Sequence, residues 1–360
     1  PGTPWKILPF VGEYTGLVET LKHLGYTENQ NLFLWPYDWR KSIATIQTNL
    51  DAFITGTVKP ANPGQPINLI GHSLGGLVAR AWTQSGTNQT SVSHLITAGT
   101  PNAGAAQSYR AWSAGDLPQE NSLLWLGERL ILELNRRSFA TNRETIRSML
   151  PVVRDLLPLD AFLRRQSDSQ LIYPATMSFQ NTWLSDLNTG ASPTFSLLDA
   201  ITGTTFSTIN RYVVTNPTWL DTALGNWTDG KPAAEETTTE GDNFVTVLRA
   251  KLSGDANTSV NQNHKNTIAA SDSIDAILNI LTIPHTSSDI TAGSPTSVTP
   301  GLLFLIRSPV SLQVLHNGTT YDGPDGIVFI PNPDNGTYDV QLTGTGTGAY
   351  TLVTAQFTNT

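Results

Sequence analysis

One serine in this chain stands where acyl chemistry could be done. Residues 67–78 read INLIGHSLGGLV, and within them Gly71-His72-Ser73-Leu74-Gly75 fits the pattern G-x-S-x-G. The apolar run Ile67, Leu69 and Ile70 predicts a buried strand before the motif, and Leu77, Val78, Ala81 and Trp82 predict a helix stripe after it. Strand, sharp turn and helix are the setting of a nucleophile elbow, in which the serine occupies a strained turn that bulky neighbours would obstruct. Small residues at Gly71, Gly75 and Gly76 meet that need. Ser73 is the candidate nucleophile.

A serine hydroxyl is a weak nucleophile at neutral pH, so it needs a base within hydrogen-bond reach and a carboxylate to orient that base. On an α/β sheet these follow in the order serine, acid, histidine. Beyond Ser73 and the strand that follows it lie His264, His285 and His316. His316 falls in a β-rich C-terminal segment and His285 after the last core helix. His264 precedes that helix in an Asn-rich loop and is the candidate base. His23 and His94 read as ordinary helix and strand residues, and His72 as the variable position of the motif. The acid is expected after a strand at Tyr212–Thr215 and before His264, which leaves Asp221, Asp229, Asp242, Asp255, Glu235, Glu236 and Glu240. Asp242 is preferred, because Gly241 permits a tight turn and Phe244, Val245 and Val247 follow as an anchoring apolar run. Glu235, Glu236 and Glu240 read as a solvated charge run.

The elements needed to position these groups are legible around them. Leu32–Trp35 predicts a short strand, Ile43, Ile46, Leu50, Phe53 and Ile54 a helix, and His94–Ala98 a strand ending in Gly99-Thr100-Pro101. Strands alternating with helices imply a parallel sheet, whose working groups gather beyond the carboxyl ends of the strands, where Asp38, Ser73 and Thr100 fall. Residues 1–104 are assigned to this core. Residues 105–205 break the rhythm with two amphipathic stretches, one carrying Leu123, Leu126, Leu130 and Leu134, the other Ile146, Met149, Leu150, Val153, Leu156 and Leu157, and are assigned to a cap. The core is expected to resume over 206–283, with a strand at Tyr212–Thr215 and a closing helix over Thr267–Leu281. Residues 284–300 have linker composition. Five short β runs over 301–360, separated by Gly, Asn, Asp and Pro, predict an antiparallel sandwich.

Composition narrows the function classes. The chain has 360 residues, 39% hydrophobic and 14% charged, a formal charge of −8 and no cysteine. That charge argues against nucleic acid or an anionic membrane held by long-range attraction. Disulfides, thiolate metal sites and a cysteine nucleophile are excluded. No stretch reaches the roughly 18 to 20 apolar residues of a membrane span. Abundant Thr, Ser, Asn and Gly with few Lys predict an exported prokaryotic protein, extracellular or at the cell surface. The start at Pro1 is read as a sign that an N-terminal piece is removed. No cofactor is expected, and no His/Asp/Glu cluster has metal-ligand spacing.

Taken together, Pro36-Tyr37-Asp38-Trp39-Arg40, the elbow GHSLGG, Gly99-Thr100-Pro101, Gly241-Asp242 followed by Val245, and His264 before a final helix resemble the lecithin:cholesterol acyltransferase and lysosomal phospholipase A2 family of α/β-hydrolases, over residues 1 to about 283. The resemblance implies an α/β-hydrolase core, Ser73 as nucleophile, Asp242 as acid, His264 as base, and lipid esters as substrate. It also makes the Leu74 backbone N–H the first oxyanion donor. The second donor of the family lies on a loop after a strand that would precede Pro4, so a companion fragment is expected to supply that strand and loop. A further departure is Asn243-Phe244, where family members carry Gly-Thr. Asp38 and Arg40 are expected to pair structurally near the site, with orientation of the substrate head group as the alternative. Trp35, Trp39 and Thr100 are candidate substrate contacts. The expected activity is hydrolysis through an acyl-serine, with transfer to an alcohol as a variant. The competing reading is a catalytically weakened surface protein whose C-terminal β domain serves binding.

Overall fold

The computed structural model describes residues 12–117, 132, 141–190, 196–252, 256–294, 300–307, 309–323 and 326–357. They fall into two compact units that part near residue 295. The first unit carries strands β1 (Ile67–His72), β2 (Val92–Ala98), β3 (Leu163–Arg165), β4 (Leu171–Ile172), β5 (Leu198–Gly203), β6 (Thr208–Thr215), β7 (Lys231–Thr238) and β8 (Ala256–Val260). Its central sheet has the order β1-β2-β5-β8, and every neighbouring pair is parallel.

Helices cover both faces of this sheet, so its strands carry apolar residues in succession rather than in alternation: Leu95 and Ile96 are both fully buried. On one face helix Leu74–Thr83 lies on β1 and β2 and packs against helix Ile43–Phe53. Ile43, Ile46 and Leu50 fall on the buried side of the latter, at the spacing of one helix stripe. The N-terminus of that helix is capped from a distance, with Ile43 N–H donating to Asp155 Oδ2 at 2.9 Å. On the other face Leu17 and Leu21 of helix Thr15–His23 and Ile274, Ile277 and Leu278 of helix Ser271–Ile280 close over Ile96, Ala98 and Ile201. Full burial of an Ile or Leu side chain contributes about 1.5–3 kcal/mol each, which makes this double layer the rigid base of the elbow.

Several expectations are corrected. The strand that resumes the central sheet is Leu198–Gly203, not Tyr212–Thr215. Residues 208–215 instead form β6 of a second sheet, β4-β3-β6-β7, in which only β3 and β6 run parallel. Both segments are apolar and β-branched; what separates them is the partner, since β6 closes over Tyr109, Leu157, Phe162 and Trp227 rather than over the central helices. Residues 33–38 form no strand, because they have no ladder partner among the described residues; Leu32 makes only an isolated bridge to Glu28. The stretch from Leu123 to Leu134 lies outside the described residues, apart from Leu132. The second amphipathic stretch is two helices, Asn142–Met149 and Val152–Asp155, interrupted at Pro151. Residues 284–294, read as linker, are tied to the core: Thr291 N–H donates to Thr20 Oγ1 at 2.9 Å and Gly293 N–H to the Ala269 carbonyl at 2.8 Å.

Among its described residues the second unit carries six strands where five runs were expected: β9 (Gly301–Arg307), β10 (Val310–His316), β11 (Thr319–Gly323), β12 (Ile327–Pro331), β13 (Asp339–Gly344) and β14 (Thr351–Phe357). They make two antiparallel sheets, β11-β10-β13 and β12-β9-β14. Phe304, Ile306, Val328 and Ile330 of one meet Leu312 and Val314 of the other, which is a small sandwich. The extra strand is β11, TTYDG, whose polar sequence gives no alternating signal.

Candidate active site

Ser73 joins β1 to helix Leu74–Thr83 with φ 52° and ψ −126°, a conformation that side-chain-bearing residues seldom adopt. Two hydrogen bonds hold it there, Ser73 N–H to the Ala98 carbonyl at 2.9 Å and Gly76 N–H to the Ser73 carbonyl at 3.0 Å. The turn brings strand and helix backbones into contact. A Cβ on Gly71 would lie 2.5 Å from Gly76 Cα, and one on Gly76 would lie 1.9 Å from Thr100 Oγ1. A Cβ on Gly75 would meet only the Tyr37 hydroxyl at 3.4 Å, an ordinary contact. The packing constraint therefore rests on Gly71 and Gly76, and Gly75 is free of it.

His264 arrives from the loop after β8. Its Nε2 is 2.9 Å from Ser73 Oγ and its Nδ1 is 2.8 Å from Asp242 Oδ2. A carboxylate only accepts, so Nδ1 carries the hydrogen and Nε2 turns a lone pair to the serine hydroxyl. The Asp242 side chain is out of reach of water. Its second oxygen accepts the N–H groups of Phe244 at 2.9 Å and Val245 at 2.6 Å. Asn243, between Asp242 and Phe244, takes φ 82° and donates its N–H to Thr208 Oγ1 at 2.8 Å. That backbone suits the glycine expected from the family pattern, and Asn is among the few other residues that tolerate positive φ. The Phe244 ring covers the imidazole of His264 at a centroid distance of 4.9 Å. Gly99 lets the pair pass: a Cβ there would be 3.1 Å from Asp242 Oδ2 and 3.2 Å from His264 Nδ1.

The remaining candidates divide. Leu74 is the first residue of its helix, so its N–H has no intrahelical acceptor and is available beside Ser73. The second oxyanion donor, expected ahead of Pro4, lies outside the described residues. Asp38 accepts two hydrogen bonds from the Arg40 guanidinium, both at 2.7 Å, and this pairing lowers the pKa of the Asp38 carboxyl. Trp35 stacks on Tyr37 and on Phe53, at 5.4 and 6.2 Å between ring centroids. Trp39 is half-buried. Thr100 is buried, its side chain filling the space over Gly76, so it supports the elbow and does not line an open surface.

Sequence reasoning passed over His72. Its Nε2 is 2.8 Å from the His264 carbonyl oxygen and its Nδ1 3.1 Å from the Tyr14 hydroxyl. Burial, reinforced by the neighbouring His264, pushes its pKa down to about 3. Burial also pushes the Tyr14 hydroxyl up to about 12. The available signal was a ring with two hydrogen-bonding nitrogens at the end of a strand whose other residues, Asn68 apart, are apolar or glycine.

The family model for lecithin:cholesterol acyltransferase matches residues 9–222, more than half of the chain. The chain belongs to the lecithin:cholesterol acyltransferase family. Its parallel sheet, covered on both faces and bearing the elbow at the end of β1, is the α/β-hydrolase fold of that family. No curated protein sequence matches the chain. Among solved structures it is similar to a Bacillus licheniformis lipase in propeptide form, at 13% identity and TM-score 0.36, covering 89% of this chain and 65% of that one. It is also similar to a phospholipase from Legionella pneumophila, at 15% identity and TM-score 0.37, covering 68% of this chain and 43% of that one. The chain thus spans less than two thirds of the length of either. Among the described residues no group of three or more His, Asp or Glu side chains could hold a metal ion. None of the described helices is long and apolar enough to cross a membrane.

Two outcomes are expected. Gly76→Ala should lower stability by about 1–3 kcal/mol, as forced overpacking does, while Gly75→Ala should leave it unchanged or slightly raised. Urea unfolding of both variants checks this, and equal losses would contradict it. The second concerns His72. Folded, it takes a proton only near 3; unfolded, it does so near its ordinary value of 6.5. Between these values the unfolded chain binds more protons, so stability falls as pH drops from about 6.5 toward 3. Stability measured across that window should fall less steeply for His72→Gln than for the unsubstituted protein.

Proposed function

We propose that this protein is a serine carboxylic-ester hydrolase that cleaves lipid esters through an acyl-serine intermediate. The observation that carries this reading is the unbroken relay from Asp242 through His264 to Ser73, with both links under 3 Å. Ser73 Oγ attacks the ester carbonyl carbon while its proton passes to His264 Nε2, and Asp242 stabilises the imidazolium that forms. The Leu74 N–H stabilises the oxyanion of the tetrahedral intermediate. Collapse breaks the carbon–oxygen bond to the leaving alkoxide, which takes the proton from His264. Water, deprotonated by His264, then attacks the acyl-serine, and the acid departs as Ser73 regains its proton.

Family membership supports a lipid ester as substrate, and the net charge of −8 favours a neutral over an anionic lipid surface. Water is the preferred acceptor because it is abundant, and transfer to an alcohol is the alternative fate of the same intermediate. In this reading the protein is exported, and a companion fragment supplies the strand and loop that carry the second oxyanion donor.

Ser73→Ala should lower the kcat for p-nitrophenyl acyl esters by roughly 10⁴- to 10⁶-fold. A fluorophosphonate ester should label the unsubstituted protein once, at Ser73, as read by peptide mass spectrometry. An unlabelled protein would leave the fold as a scaffold and favour a binding role for the C-terminal sandwich.

A further inference from the structure

The residue before the nucleophile holds the backbone of the base. His72 is the last residue of β1, and its Nε2 lies 2.8 Å from the carbonyl oxygen of His264. A carbonyl oxygen only accepts, so Nε2 must carry the hydrogen. In a neutral imidazole Nδ1 is then bare, and it accepts the Tyr14 hydroxyl, 3.1 Å away. The assignment admits no other neutral tautomer. Tyr14 donates to His72, and His72 donates to the backbone of His264. The same carbonyl accepts the Thr267 hydroxyl at 2.7 Å, and the N–H of His264 donates to the Asp242 carbonyl at 2.7 Å. The rings of His72 and His264 lie 5.0 Å apart and those of Tyr14 and His72 5.8 Å apart.

We infer that His72 is a positioning residue for the base, oriented by Tyr14, so that the elbow grips His264 at two points: the Ser73 hydroxyl at the imidazole and the His72 imidazole at the backbone. This rests on the reading of Ser73, His264 and Asp242 as a catalytic relay. Adjacent residues of one rigid turn then set both the place of the base and the place of its target. Drift of the His264 loop is opposed by the strand that carries the nucleophile. The arrangement also suits the reaction, because a neutral His72 adds no like charge beside the imidazolium that His264 becomes. Phenylalanine at 72 would fill the same space but leave the His264 carbonyl with Thr267 alone. Glutamine would present an N–H at nearly the reach of Nε2.

The test compares kcat and KM for a p-nitrophenyl acyl ester, and the second-order rate of fluorophosphonate labelling, in the unsubstituted protein, His72→Phe, His72→Gln, Tyr14→Phe, Tyr14→Phe with His72→Phe, and Ser73→Ala. His72→Phe should lower kcat and the labelling rate together by roughly 10- to 100-fold with KM little changed, as displacement of a catalytic group does. His72→Gln should recover most of that loss. Tyr14→Phe should lower kcat less, and the double variant should be no worse than His72→Phe, because the two act through one hydrogen-bond chain. Glutamine as poor as phenylalanine, a loss confined to KM, or additive losses in the double variant would overturn the proposal. If His72→Phe does not fold, an unchanged kcat in Tyr14→Phe overturns it. The two readings fail differently. Labelling and turnover that survive in Ser73→Ala sink the relay itself, whereas an inert Ser73→Ala beside a fully active His72→Phe sinks the positioning role alone.

Discussion

Asp242 is a carboxylate with no access to water, and an uncompensated charge in that position would cost several kcal/mol. Its compensation comes from three groups on two segments: two backbone N–H groups of its own loop and the imidazole of His264. The surroundings are cut to admit it. A Cβ on Gly203 would lie 2.6 Å from Asp242 Cβ and one on Gly99 3.1 Å from Asp242 Oδ2, and an isolated bridge ties the backbone of Asp242 to Phe206 just after β5. A charge that must be neutralised by partners from separate segments fixes those segments relative to one another. The central sheet thus serves the site through the ends of its strands: β2 delivers Gly99, β5 delivers Gly203 and β8 leads to His264.

The elbow adds a different kind of constraint, backbone strain, which persists only where surrounding structure determines it fully. The positive φ of Ser73 is held by hydrogen bonds to strand and helix and by the contact of Gly76 with Thr100. Strain at the nucleophile and burial at the acid are complementary. In the proposed reaction the first presents Ser73 Oγ to the ester, and the second keeps the orienting carboxylate away from the solvent that would weaken it. His264, between them, is only partly accessible, which suits the proposed base, a group that would exchange protons at one nitrogen and hold one at the other.

The site was more legible in the sequence than the fold around it, for physical reasons. G-x-S-x-G, Gly241-Asp242 and a histidine before the last helix are local signals, because each records a turn that only certain residues can make. Assignment of strands to sheets is not local. Leu198–Gly203 and Thr208–Thr215 have similar β-forming character, and only the partners each meets decide which joins the central sheet. The same limit hid β11, held by pairing with β10 and not by an apolar pattern of its own. His72 was missed because hydrogen bonds to Tyr14 and His264, 58 and 192 residues away, leave no periodic trace. Thr100 was misjudged in the opposite sense: its position beyond the end of β2 suggested a substrate contact, yet the space left by Gly76 draws its side chain inward.

The replacement of Gly-Thr by Asn243-Phe244 shows how such a site absorbs change. Position 243 must take a positive φ so that the next two N–H groups can turn back to the Asp242 carboxylate, and Asn meets that demand at a modest steric cost. Its N–H is anchored on Thr208, the first residue of β6, so the second sheet also braces the acid's loop. At position 244 the larger side chain lies against the His264 ring, with 4.9 Å between the ring centroids. The loop therefore keeps its two hydrogen bonds to the Asp242 carboxylate with Asn243 and Phe244 in place, and Phe244 adds a ring beside His264 without disturbing the oxygens that orient it.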